Sequence, residues 1–363
     1  MPAPLWHSLS AIAILTQLAA CGGGDGGETA APPPSQTLEP TRQMSYTGPP
    51  DVFDRRRDRF YAIAPPRATA NQIVSVDTVT GSQATLVADA ADVGIGAGNH
   101  LALSALGTYL YIAASSGKLT RFNLVTGQID QRLDPPGPAG SSRRVIAVLA
   151  SKTVDQDVYV QYAEFTPPAP MPTVTVQYWL TKIEGTTWSQ QRLLLQTPQT
   201  FTIKPDDTEI LLYGNGFRKV RIGSNGALTF DGPQSDLPGV SHYPSITPTY
   251  VGVGILFKNA VYDATTLLKL YDIPAISCSA LANANHAICV GSGWPSHPLF
   301  VYDLALRRVL SNWTAAVPPP MSSADFAGPT GWVSEAGSNR VLVYVYEGFS
   351  EFALYLYEHP SLN

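Results

Sequence analysis

The sequence is poor in charge: Asp, Glu, Lys and Arg make up 14% of its 363 residues, and the formal net charge is −5. It contains no basic stripe, which argues against the electrostatic surface that nucleic-acid-binding proteins need. The one basic cluster, Arg55–Arg57, is interpreted as a solvated flank. Because 44% of the residues are hydrophobic, the chain can build a large core. Nucleic acid is therefore not predicted as a partner.

The apolar stretch near the N-terminus is too short to cross a membrane. Residues 9–20 are apolar apart from Ser10, Thr16 and Gln17, whereas a transmembrane helix needs roughly 20 apolar residues. The stretch ends in two alanines, as a cleavable export signal ends in small residues. We therefore predict a signal peptide over residues 1–20.

A cysteine follows this stretch at once, in the sequence Leu18-Ala19-Ala20-Cys21. This tetrapeptide resembles the lipobox of bacterial lipoproteins. The resemblance implies cleavage before Cys21, a lipid on the Cys21 sulfur and a membrane anchor in the cell envelope, facing the periplasm or the surface. Gly22 stands where that family's inner-membrane retention signal has Asp, which favours the outer membrane. The alternative is a buried cysteine after a chance apolar helix.

Residues 22–58 are rich in Gly, Pro, Ser and Thr and contain almost no aliphatic side chains. Such a segment cannot bury enough apolar surface to offset its ordering entropy. We therefore predict a lipidated cysteine and disordered tether over residues 21–58, followed by one domain over residues 59–363.

The chain has only three cysteines. Once Cys21 is assigned to lipid, Cys278 and Cys289 remain as an even pair, and the sequence between them reads as strand, turn and strand. A disulfide between them is predicted, with two buried free thiols as the alternative. Their spacing does not fit a redox Cys-x-x-Cys motif or a zinc site.

Internal repeats decide the fold class. Residues 107–128 alternate apolar and polar positions at period two, turn through Gly117, and end in a Thr-Gly turn at Gly127. Residues 59–81 repeat this pattern, so that Asp77–Gly81 corresponds to Asn123–Gly127. Further copies give seven strand pairs spaced about 40 to 50 residues apart, which is the blade length of β-propellers.

We therefore predict an all-β protein: a β-propeller of seven blades, each a four-stranded antiparallel sheet. The last repeat lacks an outer strand, so residues 46–53 or the first hairpin are expected to complete it and close the ring. Closure removes the free sheet edges that would otherwise aggregate.

The second repeat resembles the repeat of quinoprotein-like propellers, through Ser116–Leu119 and Asn123–Gln128. Repeats of that family commonly carry a docking tryptophan after the Thr-Gly turn, where this chain has Thr85 and Asp130 nearby. The resemblance therefore implies the fold but no quinone, and no cofactor or metal is predicted.

Two histidines are candidates for a catalytic role. His100 and His242 each precede a predicted innermost strand, so both can face the channel mouth and serve as a general base. Solvated or structural imidazoles are the simpler interpretation. His286, on a turn at the opposite face, and His297, in a loop, are interpreted as structural. Tyrosines that alternate along the strands are assigned to blade packing rather than to a sugar platform: Tyr111, Tyr159, Tyr213, Tyr344 and Tyr346.

The sequence contains no nucleophile elbow, phosphate loop, His-Glu-x-x-His pair or calcium loop. The protein is therefore predicted to be a membrane-anchored extracytoplasmic lipoprotein. Its propeller is predicted to be a binding or scaffold module, with a protein or small-molecule ligand at one face. The alternative is an exported lactonase, lyase or hydrolase with its site at the channel mouth.

Overall fold

The computed structural model of the chain describes residues 36–46, 52–64, 71–90, 100–113, 117–166, 175–214, 216–232, 234–235, 247–281, 283–291, 296–316, 331–335, 337, 339–348 and 351–360. The regular elements in these ranges are β-strands. Within them, no helix is long and apolar enough to cross a membrane.

The strands are numbered in chain order. They are β1 (Thr37–Leu38), β2 (Arg42–Tyr46), β3 (Val52–Asp54), β4 (Arg59–Ala64), β5 (Asn71–Asp77), β6 (Gln83–Ala90), β7 (Leu101–Leu103), β8 (Tyr109–Ala113), β9 (Leu119–Asn123), β10 (Gln128–Leu133), β11 (Ser142–Ala150), β12 (Asp157–Thr166), β13 (Thr175–Glu184), β14 (Thr187–Leu195), β15 (Thr200–Ile203), β16 (Glu209–Tyr213), β17 (Phe217–Ile222), β18 (Leu228–Asp231), β19 (Thr249–Val251), β20 (Gly254–Phe257), β21 (Ala260–Tyr262), β22 (Lys269–Asp272), β23 (Ser277–Ala280), β24 (His286–Val290), β25 (Ser296–Asp303), β26 (Arg308–Ala316), β27 (Gly331–Glu335), β28 (Arg340–Gly348) and β29 (Glu351–Glu358).

These strands form the seven four-stranded antiparallel sheets that the repeats predict, so the seven-bladed β-propeller is confirmed. Blades 1 to 6 are β3–β6, β7–β10, β11–β14, β15–β18, β19–β22 and β23–β26, and β1 adds a parallel fifth strand to blade 6. Blade 7 is β27, β28, β29 and β2. First strands of neighbouring blades lie side by side, as β7 does with β3 and β11. The fourth strands therefore lie outermost.

An N-terminal strand closes the ring, but it is not the predicted segment. Strand β2 pairs antiparallel with β29, from Arg42 opposite Leu356 to Tyr46 opposite Phe352. Residues 46–53 were expected in this place, whereas Val52–Asp54 is the innermost strand of blade 1. The segment was misplaced because an outermost strand is held mainly by backbone hydrogen bonds and needs few apolar side chains.

The propeller also begins earlier than the predicted end of the tether at residue 58. Strands β1, β2 and β3 all lie before it, Leu38 is packed into the core, and the Asp54 side chain is buried. A low aliphatic content therefore did not mean disorder here, because neighbouring blades supply the apolar surface. Cys21 and the predicted signal peptide lie outside the described residues.

The hydrophobic core is divided among the junctions between blades. Each of the seven junctions contains its own cluster of buried side chains, drawn from both flanking blades. The junction of blades 4 and 5, for example, packs Phe217 edge-on against Tyr262 and Phe257. Because each cluster draws side chains from two blades, the core is shared between neighbouring blades and not contained within any one of them.

The antiparallel order gives the ring two distinct ends. We call the end where each first strand begins and each second strand ends the upper rim. The lower rim is the opposite end, where turns join first to second strands and third to fourth strands. Each functional residue discussed below is placed relative to these two rims.

The repeated Asp77–Gly81 and Asn123–Gly127 segments form equivalent turns of the lower rim, as predicted. In each, the first side chain accepts hydrogen bonds from the backbone N–H groups two and three residues later. The closing glycines have φ of 71° and 70°, in the left-handed region that glycine adopts without steric cost. This geometry explains why the Thr-Gly pair recurs in the sequence.

Cys278 and Cys289 form a disulfide, and the alternative of two free thiols is not observed. The two residues are direct partners in the ladder between β23 and β24, with Cα atoms 4.1 Å apart. The bridge therefore joins the first and second strands of blade 6.

Reduction of this disulfide should lower the free energy of unfolding by about 2–3 kcal/mol, because it frees a short loop in the unfolded chain. Urea unfolding with and without reductant measures the difference. A Cys278→Ala/Cys289→Ala double variant is the control, and its free energy of unfolding should be the same with and without reductant. A native chain whose two thiols both react with a thiol reagent after unreduced denaturation would contradict the assignment.

Candidate functional site

The structure describes only part of the predicted channel-mouth site. His100 directly precedes β7 at the upper rim, where its carbonyl oxygen accepts a hydrogen bond from Ala113 N at 2.8 Å. His242 lies outside the described residues, so its proximity to His100 stays a prediction. His297 lies in β25 rather than in a loop, and His286 begins β24 at the lower rim.

The lower rim is linked from blade to blade by hydrogen bonds between its turns. Arg57 binds the Asp54 carboxylate at 2.6 Å and donates to Gly107 O of blade 2 at 2.8 Å. Leu106 N of blade 2 in turn donates to the Asp155 carboxylate of blade 3 at 2.6 Å. The Arg55–Arg57 cluster, expected to be a solvated flank, thus contributes structural contacts.

Asp207 makes the most extensive of these links, between blades 3 and 4. Its carboxylate accepts hydrogen bonds from Ser151 Oγ at 2.5 Å, from Lys152 N at 2.8 Å, and from both Thr153 N at 2.9 Å and Thr153 Oγ1. Burial alone would raise the pKa of Asp207, but these donors outweigh burial and lower its pKa. Asp207 therefore remains charged at neutral pH.

Beside Asp207, blades 3 and 4 leave an open polar cleft of about 380 Å³ at the lower rim. This volume lies within the range of ligand pockets. Blade 3 supplies one wall through the ends of β12 and β13, and blade 4 supplies the other through the turn after β17. The lining residues are Ser151, Thr153, Val154, Asp157, Tyr159, Lys182, Glu184, Asp207, Ile222, Gly223, Ser224, Asn225 and Gly226.

The sheet register brings the charged side chains of the cleft together. Asp157 stands opposite Glu184, and Tyr159 opposite Lys182, in the β12–β13 ladder. Residues two apart on a strand share a face, so these four side chains lie on the face toward blade 4. Gly226 of blade 4 lies next to these side chains, since a Cβ on Gly226 would lie 3.6 Å from Glu184 Oε1.

Lys182 is the central charge of the cleft. Its Nζ lies 2.7 Å from Asp157 Oδ2 and 2.9 Å from Glu184 Oε1, and the Lys182 side chain is 15% exposed. Burial alone would lower the pKa of Lys182, but the hydrogen bonds to the two carboxylates raise it above its usual value. The ammonium is therefore permanently charged under physiological conditions.

The Tyr159 hydroxyl belongs to a residue that borders the cleft, and it has no hydrogen-bond partner in the described part of the protein. The residue is 2% exposed and lines the cleft. Burial raises the pKa of Tyr159 to about 12, against the opposing effect of Lys182, so the phenol keeps its proton. No described residue forms a hydrogen bond with this hydroxyl.

These groups are suited to recognising a polar molecule. The cleft offers carboxylate acceptors, an ammonium donor and a phenol that can both donate and accept. The Lys182 ammonium lies between two of the carboxylates, where a metal ion would have to bind. Among the described residues, no three His, Cys, Asp or Glu side chains are placed together as metal ligands.

Sequence reasoning did not find this cleft. It assigned Tyr159 to blade packing, which its burial agrees with, but missed its hydroxyl and the surrounding charges. One signal was present: Asp157 and Tyr159 alternate on one strand, as Lys182 and Glu184 do on the next. Without the register, nothing indicated that the two pairs face each other.

No family model matches this sequence, and no curated protein sequence matches it. The solved structures that are similar in fold include the following two. The β-propeller domain of Myceliophteria thermophila Cps50 (Swd1) is 12% identical, with a TM-score of 0.51, over 88% of this chain and 99% of that one. Dihydro-heme d1 dehydrogenase NirN in complex with DHE is 17% identical, with a TM-score of 0.50, over 87% of this chain and 64% of that one. At such identities the similarity establishes the fold alone.

Proposed function

We propose that this protein is a membrane-anchored extracytoplasmic lipoprotein whose propeller is a binding module. Cys21 would carry the lipid after removal of residues 1–20, and the residues before the first strand would join the anchor to the ring. The ligand would be a small molecule or a protein bound at one face of the propeller.

The observation that carries the binding role is the fixed protonation of the cleft. Acid–base catalysis works best with a group whose pKa lies near the working pH. Here the pKa of Lys182 is raised, that of Asp207 is lowered, and that of Tyr159 is about 12. Each of these groups thus moves away from neutrality, which suits recognition of a ligand better than proton transfer.

The fold is compatible with binding and with catalysis. One similar structure is a propeller domain, Cps50 (Swd1), and the other is a dehydrogenase, NirN. Because a fold by itself assigns no activity, the proposal depends on the cleft chemistry. The competing proposal is an exported enzyme that uses His100 or His242 as a base.

A ligand screen separates these two functions. Thermal unfolding of the full chain is measured in the presence of each compound in a panel of metabolites. Chromatography then shows whether the protein has converted the compound. A binding module should be stabilised by at least one compound that is recovered unchanged, by about 2.7 kcal/mol at a hundredfold excess over Kd. Conversion of a compound by the wild type, lost in a His100→Ala/His242→Ala variant, would contradict the binding role.

Replacing Cys21 tests the anchor. The wild-type chain should fractionate with membranes, and a Cys21→Ser variant should be recovered in the soluble fraction, because two or three acyl chains are needed for stable anchoring. Mass spectrometry of the mature N-terminus should find Cys21 as the first residue, with the mass of its lipid. A Ser10→Ala variant, altered within the predicted signal, is the matched control and should stay membrane-bound. An unmodified Cys21 in the mature wild-type chain would refute the anchor.

A further inference from the structure

We infer that the cleft between blades 3 and 4 binds a neutral polyhydroxylated molecule, such as one or two sugar units, with the Tyr159 hydroxyl hydrogen-bonded to it. This inference deepens the proposed binding role and rests on it. It is independent of whether Cys21 carries a lipid.

The first support is a comparison within the molecule itself. Blades 1, 2 and 3 each carry a buried tyrosine as the third residue of the second strand. The Tyr61 hydroxyl donates to Asp54 at 3.4 Å, and the Tyr111 hydroxyl donates to Asp155 O at 3.5 Å. At the third position the Tyr159 hydroxyl has no such partner among the described residues and lines the cleft instead. The Tyr159 phenol is therefore available to a ligand in the cleft, toward which it can both donate and accept a hydrogen bond.

The second support is the charge balance of the lining, which selects the class of ligand. Three carboxylates face one ammonium, namely Asp157, Glu184 and Asp207 against Lys182. An anionic ligand would be repelled by this excess of negative charge. A metal ion would have to displace Lys182, which already binds Asp157 and Glu184 at 2.7 and 2.9 Å.

The third support is the match between these groups and a pair of neighbouring hydroxyls. A sugar hydroxyl can donate to a carboxylate while it accepts from an ammonium or a phenol. Lys182 and Glu184 offer that combination at the entrance, where Glu184 is 62% exposed, and Tyr159 offers a third contact at depth. The apolar lining is limited to Val154 and Ile222, so a largely apolar ligand would leave these polar groups without partners.

The test is titration calorimetry of the full chain in a detergent without a sugar headgroup. The probes are maltotriose, cellotriose and N,N′,N″-triacetylchitotriose as neutral saccharides, galacturonic acid as an anion and spermidine as a cation. At least one neutral saccharide should bind. A Tyr159→Phe variant should bind it about three- to tenfold more weakly, as loss of one hydrogen bond implies. A Tyr111→Phe variant is the matched control and should bind as the wild type does.

A second variant covers the case in which Tyr159→Phe changes the packing. Ser224 is an exposed turn residue that lines the cleft, so Ser224→Trp should block binding while the thermal unfolding midpoint stays unchanged. Three results would overturn the inference. These are no binding of any neutral saccharide, binding that neither variant weakens, and tighter binding of galacturonic acid or spermidine that Ser224→Trp blocks. None of them bears on membrane fractionation, so failure here is distinguishable from failure of the anchor.

Discussion

A chain that begins at residue 47 should be less stable than one that begins at residue 36 by at least about 4 kcal/mol of unfolding free energy. The shorter chain loses β1 and β2. Burial of Leu38 contributes about 2 kcal/mol, and each lost ladder hydrogen bond between β2 and β29 contributes about 1 kcal/mol. It also loses the hydrogen bond from Arg42 Nη1 to Thr80 O, which ties the closing strand to blade 1. Urea unfolding of the two chains, followed by circular dichroism, measures the difference.

The shorter chain should also associate, because removal of β2 exposes β29 as a free sheet edge. Size-exclusion chromatography should find the chain from residue 36 as a monomer and the chain from residue 47 as larger species. A Leu38→Ala variant of the longer chain separates the two contributions: it should lose stability and remain monomeric. Equal stability of the two truncated chains would mean that the N-terminal strand does not close the ring.

Asp207→Ala should cost about 2–4 kcal/mol of unfolding free energy. The substitution removes the acceptor for four hydrogen bonds from blade 3, and a hydrogen bond to a charged group contributes more than a neutral one. Asp207 also has a φ of +57°, which alanine adopts less readily than aspartate or asparagine. Asp207→Asn keeps the backbone conformation and should lose less. Thermal and urea unfolding at neutral pH measure both variants.

The pH dependence of stability separates the contribution of the Asp207 charge from that of the shape of its side chain. The folded-state pKa of Asp207 is lowered, so its contribution is present above the ordinary aspartate pKa of 3.8 and is lost as pH falls through the folded value. The stability difference between wild type and Asp207→Asn should therefore shrink as the pH is lowered below about 4. Asp231→Asn, which breaks an exposed pair with Arg221 in the same blade, is the control and should change stability by less than about 1 kcal/mol. A difference that is the same at pH 3 and pH 7 would contradict the assigned role of the charge.

The repeats were readable in the sequence because blade strands alternate apolar and polar residues at period two. Turn signals such as Asn123–Gly127 mark their ends, and both the pattern and the turns are local properties. The predicted start of the propeller at residue 59 was wrong because the pairing of an N-terminal strand is not a local property. Strand β2 belongs to blade 7 through pairing with β29, more than 300 residues later, and an edge strand of that kind leaves no apolar pattern.

The cleft could not be predicted from the sequence, because its residues are far apart along the chain. Asp157 and Glu184 are 27 positions apart, and Asp207 follows another 23 positions later. Tyr61, Tyr111 and Tyr159 are alike in sequence, and only their surroundings show that the first two hydroxyls have protein partners. A histidine can be predicted as a general base from the sequence because its side chain titrates near neutral pH without any partner. A site built from a lysine, carboxylates and a tyrosine is recognisable only when these groups meet.

By itself, the sequence determined the fold class and the number of blades, because both follow from local alternation and regular spacing. It also favoured a disulfide between Cys278 and Cys289 over two free thiols, and the structure decided between the two. Its Leu-Ala-Ala-Cys segment is also what motivates the proposed anchor at Cys21. Only the tertiary structure decided which strand closes the ring, where the propeller begins and which side chains line the cleft. Those features depend on backbone pairing and on packing between blades, and such contacts join residues that no local pattern connects.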